Sequence, residues 1–139
     1  MEVYFNKDCY NEKENKLSSK GVSQMNTNNL RKWAVEKAIE QQTIEGFWVC
    51  FHSYKEGSKR QFNKHFGRDF DENQLTVEMS GISLHIDEWD CSKQYHKIVY
   101  GFDFVVSFVP IVYKNERLGD YRMLFNLDGE SFDDYFVID

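Results

Sequence analysis

Apolar side chains recur along this chain at two different spacings. In "NNLRKWAVEKAIEQQ", Leu30, Trp33, Ala34 and Ala38 fall at helical intervals, and Val35 and Ile39 widen the stripe. The pattern predicts an amphipathic helix, capped by Asn28 or Asn29 through a side-chain carbonyl and ending before Gly46. In "GFWVCFHSYK", Phe47, Val49 and Phe51 alternate with Trp48, Cys50 and His52. With both sets largely apolar, this stretch is expected to be a central strand covered on two sides. "SKRQFNKHF" is expected to be a short basic helix, docked by Phe62 and Phe66 four residues apart.

Period two dominates the rest. In "LTVEMSGISLHID", a Ser80-Gly81 turn would pair Met79 with Ile82, Val77 with Leu84 and Leu75 with Ile86, placing six apolar side chains on one face. The same register sets His85 on the polar face, opposite Thr76. "KIVYGFDFVVSFVPIVY" keeps apolar residues on every even position from Ile98 to Phe108, with Gly101 and Pro110 as expected bends. "KNER" turns the chain, and "GDYRMLFNL" alternates through Tyr121, Met123, Phe125 and Leu127. Asp128-Gly129 is a hairpin dipeptide tolerant of positive φ, and Ser131–Ile138 is the last strand. Residues 1–5 suit a short strand, and 6–28 a polar arm or loop.

The order predicts a single α+β domain over 1–139. One main N-terminal helix packs on a curved, mostly antiparallel sheet of about five or six strands. A cystatin-like or NTF2-like cone is one architecture compatible with that order. At 139 residues, with 17% aromatics, the chain can bury a core without cross-links. Its three cysteines, Cys9, Cys50 and Cys91, are odd in number and widely spaced, which fits a reducing compartment rather than a disulfide framework. The N-terminus lacks the apolar segment of a signal peptide, and no run reaches membrane-spanning length, so a cytoplasmic protein is expected. An abundance of Asn, Lys, Phe, Tyr and Ile suits a bacterial chain.

Charge is unevenly placed. The net charge is −6, yet residues 30–68 carry eight bases against four acids, whereas 69–139 carry fifteen acids against five bases. Such a balance disfavours nucleic acid as the main partner and suits a basic protein. The basic "KEGSKRQFNKHFGR" could hold an anion or nucleic acid, but a solvated amphipathic helix docked by its two Phe is the favoured account.

Candidate chemistry thins out under inspection. His85, Asp87, Asp90, Cys91 and His96 are metal-capable types at spacings that match no zinc signature, and no cofactor is expected. On a strand, Cys50 and His52 would share a face, but no acid is assigned to orient the histidine. No phosphate-binding glycine loop or serine elbow occurs. Asp128 is a turn residue, and Asp133 and Asp134, adjacent on a strand, point to opposite faces and cannot share one metal or proton. What remains is a set of acids and aromatics suited to contact. The expected partner-binding residues are Glu88, Trp89, Asp90, Asp120, Asp128, Glu130, Asp133, Asp134 and Tyr135.

The closing "LGDYRMLFNLDGESFDDYFVID" resembles immunity proteins of bacterial polymorphic-toxin and contact-dependent-inhibition systems. The likeness covers about the last twenty residues, with Tyr121, Phe125, Leu127, Asp128, Gly129, Glu130, Asp133, Asp134, Tyr135 and Phe136 as the matching positions. It implies a non-enzymatic inhibitor that occludes the active site of a cognate basic toxin, for instance a nuclease. The competing expectation is a cone-shaped small-ligand-binding protein or enzyme, with Trp48, Tyr100 and Phe102 lining its cavity. A regulatory interaction module without a toxin is a third.

Overall fold

The computed structural model of the chain describes residues 25–87, 89 and 100–139. Three helices come first: α1 (Asn28–Glu36), α2 (Ile39–Gly57) and α3 (Lys59–Phe66). A 3-10 turn at Glu72–Gln74 leads into five strands, β1 (Leu75–Thr76), β2 (Gly81–His85), β3 (Phe104–Tyr113), β4 (Glu116–Asn126) and β5 (Ser131–Ile138). All pairings are antiparallel. The fold is α+β, with helices packed on one face of a five-stranded sheet. The expected strand at residues 1–5 and most of the 6–28 arm lie outside the described residues.

The largest correction concerns "GFWVCFHSYK", which is helix. Ile39, Thr43, Phe47 and Phe51 recur every four residues and are the buried positions of α2. Val49, which a strand would bury beside Phe47 and Phe51, is 68% exposed. A short apolar run carries both periods, and here the four-residue one wins because it extends upstream into Ile39 and Thr43. The helix expected from residue 28 breaks instead at Lys37–Ala38, where Ala38 takes a left-handed conformation (φ 52°, ψ 43°). Neither expected asparagine caps α1: Thr27 precedes it, and the Asn26 side-chain carbonyl accepts the Asn28 N–H at 2.8 Å.

Aromatic rings fill the space between helices and sheet. Phe47, Phe51, Phe62, Phe66, Tyr113 and Tyr121 are buried in one cluster. Phe62 and Phe66 stack at 4.8 Å, so the short basic helix is held as its spacing predicts. Each buried ring contributes about 1.5–3 kcal/mol. Helix α2 approaches the sheet closely at Gly46, where a β-carbon would collide with the Met123 methyl and the Tyr121 hydroxyl. At the centre of this layer the Thr43 and Ser107 hydroxyls, both fully buried, bond at 2.7 Å.

The expected 75–86 hairpin does not form. Strands β1 and β2 both pair with β3, Leu75 with Tyr113 and Gly81 with Phe108, so 75–85 run along one edge with a break at 77–80. The cause sits across the break. Ser80 N–H donates to the Phe108 carbonyl at 2.8 Å, so even-numbered β3 residues face this edge. Pro110 is one of them and has no N–H to give. His85 lies opposite Phe104, with ring centroids 4.5 Å apart, not opposite Thr76. Residues 97–99 of the long alternating segment lie outside the described residues; from Phe104 it is strand, and its odd positions, Val105, Ser107, Val109, Ile111 and Tyr113, face the helices.

Lys114 and Asn115, both at positive φ, turn β3 into β4. The connection from β4 to β5 is four residues long rather than two. The Asn126 side chain accepts the N–H groups of Asp128 and Glu130 at 3.1 and 2.9 Å, and Gly129 supplies φ 87°. Trp33 Nε1 donates to the Leu127 carbonyl at 2.9 Å and Gln42 Nε2 to that of Gly129 at 3.2 Å, tying this turn to the helices.

Candidate functional site

With all three helices on one face, register assigns each β5 side chain to a side. Asp134 pairs with Met123, and Phe136 with Tyr121, on the helix-covered face. Asp133 pairs with Leu124 and Tyr135 with Arg122 on the open face. The opposite orientations expected for the two aspartates are thus seen, and they set different roles.

Asp134 is an anchor. Its Oδ2 accepts the Tyr121 hydroxyl at 2.8 Å and the Cys50 thiol at 3.2 Å. Burial, then the bond to Asp134, pushes the Cys50 thiol up to about 11 and the Tyr121 phenol well above its usual range. Both groups are held protonated as donors to the carboxylate. Cys50 and His52 lie two residues apart on a helix, so they do not share a face, and His52 stacks on Trp48 at 5.6 Å. No Cys–His pair forms.

Asp133 organises the open side. Its Oδ2 accepts the hydroxyls of Tyr100 and Tyr135 at 3.1 and 3.0 Å, and those hydroxyls lie 2.5 Å apart. The bond to Tyr135, then desolvation and Asp133, raise the Tyr100 phenol well above its usual range. Tyr100 reaches this point because Asp87 holds its backbone. Asp87 Oδ2 accepts the N–H groups of Tyr100 and Gly101 at 2.9 and 2.7 Å, with Gly101 at φ 84°. Asp103 Oδ1 in turn accepts the Asp87 N–H at 3.2 Å. The chain leaving β2 is thereby brought back across the end of the sheet to β5.

Rings cover that end. Phe132 meets Tyr100, Phe102 and Phe104 at 5.0, 4.9 and 5.9 Å. Phe102 and Tyr135 remain 41% and 43% exposed, and Trp89 is 75% exposed. Asp128 and Glu130 project from the adjoining turn, both exposed. The result is a corner of acids and half-presented aromatics on a rigid base.

The nine expected contact residues therefore divide. Asp128, Glu130, Asp133 and Tyr135 gather at the β4–β5 end, and Trp89 follows the Asp87 clamp at the same end of the sheet. Asp134 points inward. Asp120 lies on the open face between two guanidinium groups, paired with Arg117 and with Arg122 Nη2 at 3.4 Å. Its charge is already met within the chain. Glu88 and Asp90 lie outside the described residues. The described carboxylates of 69–139 are thus spread over both faces and ends of the sheet, and Asp128, Glu130 and Asp133 lie at the end that also carries exposed rings.

Asp87, Tyr100, Phe102 and Asp103 were not among the expected contact residues. The available signal was Asp87 at a strand end and Gly101 inside an aromatic run, a combination that marks a clamped bend. No group of three metal-capable side chains converges among the described residues, and no helix among them is long and apolar enough to cross a membrane. Trp48 packs in the helix layer, away from Tyr100 and Phe102, so the three do not line one cavity. A separate open cleft of about 1100 Å³ lies between α1, α2 and residues 79–82.

Compared with known proteins, the chain matches no family model, no curated sequence and no solved structure.

Proposed function

We propose that this chain is a non-enzymatic binding protein, and specifically a cytoplasmic immunity protein that neutralises a cognate basic toxin domain by covering its active site. The observation that carries the reading is the β4–β5 end of the sheet, where Asp128 and Glu130 are exposed on the turn, Asp133 holds the Tyr100 and Tyr135 hydroxyls, and the rings of Phe102 and Tyr135 stay partly exposed. Of the five acids in residues 123–139, Asp128, Glu130 and Asp133 lie toward this end of the sheet. Carboxylates there attract Lys and Arg of a phosphate-binding cleft and speed encounter, while desolvated rings slow departure. The Asp87–Tyr100–Asp133 bonds fix the surface in advance, which lowers the ordering cost of binding.

The test is a search of the genes adjoining this chain's own for a toxin domain, followed by co-expression of the two; a neighbourhood that encodes no such domain counts against the reading. Restored growth and a stoichiometric complex are expected. Growth arrest undiminished by this chain, with no complex recovered from the purified pair, contradicts the reading.

A second reading draws on the cleft lined by Leu30, Ala34, Ile44, Met79 and Ile82, with Arg31, Glu40 and Glu45 among its polar lining residues. It suits an amphipathic small molecule. Displacement of a fluorescent fatty-acid analogue, abolished by Ala34→Trp, is expected if a ligand seats there; binding that is indifferent to Ala34→Trp counts against it.

A further inference from the structure

The two edges of the sheet are unlike. The β1/β2 edge is interrupted at 77–80 opposite Pro110, a break that discourages a further strand. The other edge, β5, has a bulge at Phe132 and then keeps one register from Asp133 to Ile138, with no proline, lysine or arginine. Among the described residues β5 pairs with β4 alone.

The direction of its amides follows from one bond. Asp139 N–H donates to the Leu118 carbonyl at 2.8 Å. Alternation then turns the Asp133, Tyr135 and Val137 backbones toward β4, and those of Asp134, Phe136 and Ile138 toward the free edge. The Asp134 N–H confirms the phase: it is taken by the Asp133 Oδ1 at 2.9 Å instead of by β4. Asp133 thereby stoppers the first outward amide. The N–H and C=O groups of Phe136 and Ile138 are left facing outward, beside the exposed side chains of Tyr135 and Val137.

We infer that this half of β5 receives an extended, basic segment of a partner protein as a sixth strand. Main-chain bonds to Phe136 and Ile138 would hold the segment, and its Lys or Arg side chains would meet the acids that flank the edge. Charge selects the occupant. Glu130, Asp133 and Asp139 attend this strand, Asp134 being turned inward, with no base from 123 to 139, so a second copy of a chain of net charge −6 is repelled and a cationic strand is drawn in. The edge continues from the aromatic corner through Asp133 and Tyr135, so one partner can engage both. The inference rests on the proposed contact function and specifies how the toxin docks.

Amide-resolved hydrogen exchange on the complex with the neighbouring toxin domain tests it. The Phe136 and Ile138 amides should slow at least tenfold on binding, while Tyr135 and Val137, already bonded to β4, change little. An acetylated nine-residue peptide of alternating lysine and valine should shift the Phe136 and Ile138 resonances, whereas the glutamate–valine counterpart should not. A complex that protects only 100–103 and 128–130 overturns the strand addition and leaves the contact function standing. A lysine–valine peptide that acts at β2 or the helices, or not at all, also overturns it. Peptide docking at β5 with no toxin complex overturns the toxin reading alone.

Discussion

Asp134 accepts the hydroxyl of Tyr121 at 2.8 Å beneath β5, on the face opposite the one where its neighbour Asp133 accepts the Tyr100 and Tyr135 hydroxyls. One residue of displacement along a strand separates a structural carboxylate from a surface one. Removing Asp134 leaves the Tyr121 hydroxyl unsatisfied inside the protein, and removing that hydroxyl leaves the Asp134 Oδ2 with the Cys50 thiol as donor. Tyr121→Phe should cost about 1–3 kcal/mol in urea unfolding, and Asp134→Ala a similar amount. The double variant should cost less than the sum, because each single change already breaks the same bond.

The thiol on the same carboxylate gives a pH signature. Cys50 is held at about 11 against 9.0 for the ordinary thiol, by burial first and by Asp134 second. The unfolded chain releases this proton earlier than the folded one. Stability from this site is therefore complete below pH 9 and declines as pH rises from about 9 to about 11. Unfolding midpoints across that interval should fall more shallowly for Cys50→Ala than for the parent. Parallel slopes would mean that the thiol is not so held.

Tyr54 offers an opposite case. It packs against Phe62 and Phe136 at 6.0 and 5.3 Å, and its buried hydroxyl has no hydrogen-bond partner among the described residues. Desolvation accordingly raises its pKa. Tyr54→Phe keeps the ring and deletes the unsatisfied group, so the variant should be more stable by about 1 kcal/mol in thermal or urea unfolding. A loss of stability would indicate a bond that this arrangement lacks.

Ala38 separates α1 from α2 in a left-handed conformation, with an exposed methyl that packs on little. L-residues lose roughly 1–2 kcal/mol there, whereas glycine enters at no steric cost. Ala38→Gly should be stabilising by about 0.5–1 kcal/mol despite glycine's greater freedom when unfolded. Circular-dichroism melting is sufficient to read the sign.

The elements legible in the sequence are those with one period. Glu116–Asn126 alternates through Tyr121, Met123 and Phe125, Ser131–Ile138 follows the Asp128-Gly129 turn, both are strands, and Phe62 and Phe66 dock their helix as spaced. "GFWVCFHSYK" carried both periods, and only the upstream Ile39 and Thr43 decide it. The 75–86 hairpin failed for a non-local reason: its edge register is set by β3, and its break by Pro110 thirty residues away in the chain. The site was half legible. Alternation alone separates Asp133 from Asp134, but the Arg117–Asp120–Arg122 group and the Asp87 clamp depend on the folded arrangement.

Stopped-flow association with the neighbouring toxin domain, across a series of salt concentrations, tests the contact account most directly. Asp128→Lys with Glu130→Lys reverses the two exposed acids of the turn, and Tyr135→Ala removes one of the exposed rings. The account predicts a parent on-rate that falls about tenfold or more as salt is raised, charge-reversed on-rates that are slow and nearly flat with salt, and a Tyr135→Ala defect confined to faster dissociation. Rates indifferent to salt and to all three substitutions would contradict it.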